Sequence, residues 1–593
     1  MPRLLALTLL LLAAAVGAAP APTQRRALDA AYAGIAKAGE RLGARDIARY
    51  LLEAAVAGDE PARLTRALET LRTQQELRPT DANFGNFRWY RGQPEVKDRN
   101  AVQFVCQNLL VLALAHRERL EAGQERALRV LLTDAAQGCL RQKVRPDYTN
   151  IFLMKACNLV LLGQYLGDAS LAEQGRANLR EFLTYTRANG ITEFNSTTYT
   201  GIDMDCAIQL VRLAADPRDQ ATGRTLLRLL WIEVAANWFA PCQRLGGAHS
   251  RDYNYLQGVG ATDNQLAANG WIPPLKPDPL GAEADSRRWV APKAWTESLR
   301  DTLPREVLQR WGQGPGMTAT HWLTKDYSLG TGGTGKAYDD KVFAAQFPGD
   351  RRSTMVYFVM ESRDDPYGIS KEPDSNGHNK ALHLRPSLVT VQNKDRALLI
   401  AADDTEKPRH LRPVPELKGL WSHLVFPAQA KVCDRDGREL APGPVDLAEP
   451  VFLRQGNVTM GVRFLAARGP GDLTSPAPLR LIRDGDPQQA ARFTAEHGVG
   501  PHPGKGLFGF VTEIAVTADE AAFRSFAQTW RDSPVLKVQG AEVTAEARGL
   551  SATIDVAGNK IRRTGGGATL APGQPLSVNG RDPWSPLIEE ALR

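Results

Sequence analysis

Glu193-Phe194-Asn195-Ser196-Thr197-Thr198-Tyr199-Thr200-Gly201-Ile202-Asp203, continuing to Leu213, is the stretch on which the reading of this chain turns. Its first seven residues are polar or aromatic and lack helical spacing. From Ile202 onward an apolar stripe, Ile202, Cys206, Leu210 and Leu213, recurs at steps of three and four, the signature of an amphipathic helix facing a core. A polar, chemistry-bearing turn therefore opens directly into a buried helix. The pattern repeats. Val102, Val105, Cys106, Leu109 and Leu110 form one further stripe and Met154, Cys157, Leu161 and Tyr165 another, with more charged helical segments near 122–138, 170–189 and 219–239 between them. Such alternation of inner and outer helices predicts hairpins packed side by side, closing into a ring or extending as a solenoid.

Polar clusters stand where helices begin: Asn86-Phe87-Arg88-Trp89-Tyr90, Asp147-Tyr148-Thr149-Asn150, the 193–199 segment, and His249-Ser250-Arg251-Asp252-Tyr253-Asn254-Tyr255. Asn150 and Asn195 are 45 residues apart, and Asn195 and His249 are 54 apart. A helix out and a helix back occupy about that length at ~1.5 Å per residue. Clusters spaced by one hairpin return to the same rim, so Asn, Tyr, His, Arg and Glu are expected around one mouth. Each has a structural alternative: Asn150 and Ser196 suit helix N-caps, Tyr199 suits a core aromatic, and Glu193 suits the first turn of a helix.

The segment 243–315 is irregular and rich in Gly and Pro, with a further helix expected near 295–311. Beyond it the period becomes that of strands: Ser353–Met360, Ser387–Gln392 and Ala397–Ala401, the last two joined through Asn393-Lys394-Asp395-Arg396. Short strands continue to about 580, which predicts an antiparallel β-sandwich. The expected organisation is an export signal at 1–18, a helical domain at 19–314 that carries the site, and a β-sandwich at 315–593.

At 593 residues the chain is too long for one core. Its 43% hydrophobic and 23% charged residues exclude long disorder and a multi-pass membrane protein. The net charge of +7 is dispersed, without a basic run, which suits an acidic substrate and gives no indication of nucleic acid. Met1-Pro2-Arg3, the apolar stretch Leu4–Ala19 and the small residues Val16 and Ala18 read as a secretory signal cleaved between Ala18 and Ala19. The expected location is periplasmic or extracellular, without membrane insertion after cleavage. Six cysteines allow one or two disulfides, and no metal motif or cofactor fingerprint is present. The run Gly330–Lys336 is not a phosphate loop, because Lys336 is followed by Ala337 in a β setting.

With EFNSTTYTGID (193–203), GGAHSRDY (246–253) and THWLTKDYSLGT (320–331), the chain resembles the polysaccharide lyases built from an incomplete (α/α) toroid followed by an antiparallel β-sandwich, the alginate lyase and heparinase-like group. The resemblance implies β-elimination at a uronic acid in an acidic polysaccharide, with no cofactor. Under it Asn195 neutralises the substrate carboxylate, Tyr199 or Tyr253 is base or acid, His249 is a second base or neutraliser, and Arg251 is the cation favouring a phenolate. Asn86, Arg88, Trp89, Tyr90, Asn150, Glu193 and Tyr255 are expected to contact the glycan, and His321, with Tyr327, to close the cleft from the β half. Two other readings compete: an (α/α)-barrel glycoside hydrolase using Glu193 with Asp252 or Asp203, and a non-catalytic glycan-binding protein of the envelope.

Overall fold

The computed structural model describes residues 20–593 apart from 315, 382, 407–416, 470–471, 486–489 and 558–559. The export signal expected at 1–18 lies outside the described residues. Among the described residues no helix is long and apolar enough to cross a membrane. By its contacts the chain forms two units: residues up to Phe182 with Asp203–Leu226 and Pro273–Trp289, and Leu183–Ile202 with Leu227–Ile272 and Val290–Arg593.

The first unit is helical. Ala44–Ala57, Ala101–Ala115 and Thr149–Leu166 pack successively as an inner row, while Pro61–Gln74 and Ala122–Arg141 pack outside them. Burial explains the alternation. Ala101–Ala115 and Thr149–Leu166 are buried around nearly their whole circumference, whereas Ala122–Arg141 buries Leu128, Leu131, Leu132, Ala135 and Cys139 and turns Val130 to solvent. The outer helix starts in a capping box of Glu121 and Gln124, and Ala44–Ala57 ends on Gly58 at φ 68°, a left-handed position that suits glycine. The inner row also carries polar ties. The Gln103 amide donates to Gln142 at 2.7 Å and accepts from Asn158 at 2.9 Å, and Gln209 donates to the Gln107 carbonyl at 3.0 Å. The six cysteines are all buried and free.

The second unit holds the β half, in three layers. A ten-stranded antiparallel sheet runs through Arg305–Arg310, Thr318–Leu323, Ser328–Thr331, Phe343–Gln346 and Val356–Glu361 as neighbours, then through Gly419–Pro427, Ala490–Val499 and Leu479–Gly485. A six-stranded sheet faces it, and Phe343 meets Phe510 at 5.0 Å and Phe358 meets Phe508 at 5.7 Å in the shared core. A four-stranded sheet, Val535–Gln539 to Lys560–Thr564, and the helix Glu520–Gln528 cover the other face of the six-stranded sheet around Trp530 and Phe523. With both faces covered, Arg396–Asp404 reads as a continuous apolar run instead of an alternating one. The hairpin expected at 393–396 is present, with Asn393 paired to Arg396 and Lys394 at φ 50°.

The helix expected over 295–311 is confined to Glu297–Asp301, and Arg305–Arg310 is instead a strand paired with Thr318–Leu323. Pro304 denies the helix an interior N–H and favours extended backbone before it.

Candidate functional site

All five residues expected to be catalytic lie in the second unit, and the structure brings them together. The segment Ala248–Asp252 is held on two sides by main-chain bonds. His249 exchanges bonds of 3.0 and 2.8 Å with Lys341, the Asp252 N–H donates to Asp339 at 3.0 Å, and the Ser250 N–H donates to Phe194 at 3.1 Å. Asn195 braces the same segment. Its side-chain amide donates to the Gly246 and Ala248 carbonyls, both at 2.9 Å, and its own N–H donates to Glu233 at 2.9 Å. Asn195 sits at φ 45° and Arg251 at φ 50°, sparsely populated conformations for residues with a side chain.

Arg251 is the hub of one cluster. It donates to Glu193 at 3.2 Å, to Asp339 at 3.3 Å, to the Tyr199 hydroxyl at 3.1 Å and to the Tyr253 hydroxyl at 2.5 Å. The two phenolic oxygens are 3.0 Å apart. Tyr199, Tyr253 and Arg251 are half-buried, so this cluster reaches solvent. Burial tends to strip Arg251 of its proton, but Asp339, the two phenols and Glu193 outweigh it and hold the guanidinium firmly charged. Burial, with Asp339, drives the Tyr253 hydroxyl up despite Arg251, so Tyr253 remains a proton donor.

His249 belongs to a second, sealed cluster. Its Nδ1 lies 3.0 Å from Asp252 Oδ2, which also accepts from Lys341 Nζ at 3.0 Å. Burial would raise Asp252, but Lys341 and His249 more than compensate, and its carboxyl lies below the ordinary range. Burial brings Lys341 down to about 8. His249 Nε2, on the far side of the ring from Asp252, is buried without a hydrogen-bond partner. A Cβ at Gly258 would stand 2.9 Å from His249 Cε1 and 2.8 Å from Met355 Sδ, so Gly258, at φ 62°, lets the backbone cover the imidazole.

Several expected residues have other tasks. Asn195 commits both amide hydrogens to main-chain carbonyls, so in this arrangement it holds the His249 segment in place of a substrate carboxylate. His321 is fully buried and does not line a cleft. Its Nδ1 is 2.7 Å from Asn237 Oδ1, its Nε2 accepts from the Ala248 N–H at 3.1 Å, and burial drops it to about 3, keeping the ring neutral. Tyr255 is only 4% exposed and packs edge-on against His383 at 4.2 Å, which leaves no face for a sugar. Tyr327 is likewise buried in the sandwich core.

The earlier clusters lie in the first unit. Asn86 is buried, donates to the Arg99 carbonyl at 2.8 Å and accepts from the Phe87 and Val102 N–H groups, a structural tie ahead of Ala101–Ala115. Arg88 donates to the Thr73 carbonyl, Trp89 packs edge-on against Phe104 at 5.3 Å, and Arg41 lies 5.9 Å from the Tyr90 ring centre. Asn150 is buried in the first turn of Thr149–Leu166. Asp203 also lies in this unit, and is buried.

Sequence reasoning missed Glu233, Asp339, Asp340 and Lys341. A signal existed for Glu233, a lone acid within the apolar run Leu229–Ala236. Burial raises its carboxyl to about 7. Asp339-Asp340-Lys341 follows the glycine-rich run after Ala337-Tyr338, and its charges had no visible partner in the local sequence. Elsewhere, ligand-type atoms of Glu361, Asp364 and His423 lie within 4.8 Å of one another. They are already tied to protein groups: His423 Nε2 is 2.9 Å from Glu361, and the Arg492 guanidinium bonds Asp364 and lies 3.3 Å from His423 Nδ1.

A family described as a domain of unknown function, DUF8769, matches residues 50–259. No curated protein sequence matches the chain. Among solved structures, the chain is similar to heparinase III at 11% identity, covering 85% of this chain and 81% of that one with a TM-score of 0.39. It is similar to a Streptomyces coelicolor A3 chondroitin AC lyase at 13% identity, covering 91% of this chain and 86% of that one with a TM-score of 0.44. A Paenibacillus xanthan lyase matches at 10% identity over 89% of this chain and 60% of that one, with a TM-score of 0.44.

Proposed function

We propose that the chain is an exported polysaccharide lyase, periplasmic or extracellular, that cleaves a uronic-acid-containing polysaccharide by β-elimination. The observation that carries this reading is the single guanidinium of Arg251 bonded to two phenols that are themselves 3.0 Å apart. Elimination needs a base for the C5 proton and an acid for the leaving oxygen, and this arrangement supplies both. Tyr199, its oxygen beside the Arg251 cation and hydrogen-bonded to Tyr253, takes the C5 proton as a phenolate. The C5–H and C4–O bonds break, the C4–C5 double bond forms, and Tyr253, kept protonated by burial, gives its proton to the leaving oxygen. The proton collected on Tyr199 then returns to Tyr253 across their hydrogen bond. The Arg251 charge also favours the enolate-like carboxylate that develops.

A hydrolase is less well supported, because its two carboxylates are engaged: Glu193 pairs with Arg251 at 3.2 Å and Asp252 with Lys341 at 3.0 Å. The test is a screen of the purified protein on alginate, glucuronan, pectate and glycosaminoglycans, read by the ultraviolet absorbance of an unsaturated uronide. Tyr199→Phe and Tyr253→Phe are each expected to slow turnover by about 10²–10⁴-fold with unchanged melting. Reducing ends without absorbance, binding without turnover, or wild-type rates in both variants would reject the elimination reading.

A further inference from the structure

In the second unit, Asp339-Asp340-Lys341 runs beside the site segment and grips it residue by residue. Main-chain bonds set the register: Lys341 exchanges two with His249, and the Asp339 carbonyl accepts from the Asp252 N–H at 3.0 Å. The side chains divide the segment among themselves. Asp339 accepts from the Arg251 guanidinium at 3.3 Å, and Asp340 Oδ1 accepts from the Arg251 N–H at 3.0 Å and from the Ser250 hydroxyl at 3.1 Å. The Asp340 contact holds Arg251 at its φ of 50°. The Lys341 ammonium reaches further along. It donates to Asp252 Oδ2 at 3.0 Å and to the Asn254 carbonyl at 2.5 Å, and these two residues stand on either side of Tyr253.

The ammonium is enclosed. Lys341 is 1% exposed, and its Nζ lies 5.2 Å from the centre of the Tyr255 ring and 5.0 Å from that of Tyr357. Asp252 favours its charge and is shared with His249, while Arg244, from the strand Arg244–Leu245, opposes it. Burial drives the Tyr255 and Tyr357 hydroxyls up, so both rings stay neutral. A buried ion pair adds little to stability beside apolar packing of the same volume, because both charges give up hydration. The gain here is geometric: one group fixes two points of the chain with Tyr253 between them.

We propose that Lys341 is a positioning residue for the Tyr199–Arg251–Tyr253 cluster, its ammonium clamping the chain on both sides of Tyr253 and so setting where that phenol stands against the sugar. The proposal rests on the reading of that cluster as a lyase site. Tyr253 has to reach the leaving oxygen while Arg251 keeps its bonds to both phenols, and a displacement of about 1 Å costs about 100-fold in rate. Burial lowers the ammonium to about 8, so the clamp is charged below that pH and neutral above it. A neutral amine gives up the charge-assisted part of both bonds. Tyr199 works as a phenolate and gains with rising pH, so the two together give a bell-shaped profile whose alkaline limb belongs to Lys341.

The test is the pH dependence of kcat and KM for release of unsaturated product by the full chain from alginate, glucuronan, pectate or heparan sulfate, beside hydrogen exchange of residues 249–258 read by mass spectrometry. Lys341→Met leaves the buried Asp252 with only His249 as an ionisable partner, so a double variant, Lys341→Met with Asp252→Asn, which removes both charges, is measured with it. Wild-type kcat is expected to fall above pH ~8. Both variants are expected to lose about 10–100-fold in kcat with KM within about twofold, to lack the alkaline limb and to exchange faster in 249–258. A double variant with wild-type kcat and the same alkaline limb, whether or not 249–258 exchanges faster, would overturn the positioning role and leave the lyase reading standing. A wild-type kcat that keeps rising well past pH ~8 would overturn it without any variant. If wild type releases unsaturated product from none of the polymers, the lyase reading falls and exchange alone decides the clamp: faster exchange in the double variant upholds it and unchanged exchange overturns it.

Discussion

Replacing Glu233 by Gln is expected to stabilise the protein at alkaline pH and to have little effect in acid. Glu233 is fully buried; its Oε1 accepts from the Asn195 N–H at 2.9 Å and from the Gln309 amide, and its Oε2 has no hydrogen-bond partner. The carboxylate therefore has one oxygen that is buried without a donor. Burial raises the carboxyl from 4.5 to about 7. A folded-state value above the unfolded one means that the native state holds the proton more tightly. The native state is therefore unpenalised below pH ~4.5, loses stability as pH rises towards ~7, and carries the full penalty above that. At about 1.4 kcal/mol per pH unit, the penalty is roughly 3 kcal/mol. A glutamine keeps an acceptor for the Asn195 N–H and does not titrate. Urea unfolding of wild type and Glu233→Gln should show a difference near zero at pH 4.5 that grows to roughly 3 kcal/mol in favour of the variant at pH 8.5. A variant less stable than wild type at pH 8.5, or a difference independent of pH, would refute the reasoning.

Arg251→Met removes the cation that Glu193 and Asp339 share and should cost about 3–5 kcal/mol in urea unfolding along with measurable turnover. Arg251→Lys restores charge but not the fork to both phenols, so it should recover much of the stability and little of the rate; equal recovery of both would argue against the fork. Gly258→Ala places a methyl 2.8 Å from Met355 Sδ and 2.9 Å from His249 Cε1 at φ 62°. It should lower stability by about 1–2 kcal/mol for the backbone conformation alone and shift the His249 ring signals in an NMR spectrum, and an unshifted imidazole would show that the cover over His249 is loose.

The fold and the neighbourhood of the site were legible in local pattern. Steps of three and four through Val102–Leu110 and Met154–Tyr165 announce helices buried on most sides, and runs such as Ala397–Ala401 announce strands covered on both faces, because spacing records which faces of an element meet apolar partners. Of the four polar clusters, the segments 193–199 and 249–255 meet and gather Glu193, Asn195, Tyr199, His249, Arg251 and Tyr253, while 86–90 and 147–150 lie in the first unit. The strand Arg305–Arg310 escaped because six residues ending at a Gly-rich turn satisfy either period. The third β layer escaped because its cover, Glu520–Gln528 and Val535–Thr564, is an ordinary helix and ordinary hairpins until it is seen to close on Trp530.

What each side chain does at the site was decided by partners far along the chain. Asn195 and Tyr199 lie four residues apart and look alike as polar residues at the head of a helix. Yet Asn195 is spent on the Gly246 and Ala248 carbonyls, while Tyr199 meets Arg251 and Tyr253 in partial contact with solvent. Tyr253 and Tyr255 differ in the same way, one beside the guanidinium and the other sealed against His383. The sequence by itself determined most of the segments that fold into helices and strands, since hydrophobic spacing is a local property. Only the tertiary structure decided what each polar group at the site is bonded to and how deeply it is buried, since that depends on donors and acceptors contributed by Glu233, His321, Asp339 and Lys341, and desolvation acts on groups by where they end up in space.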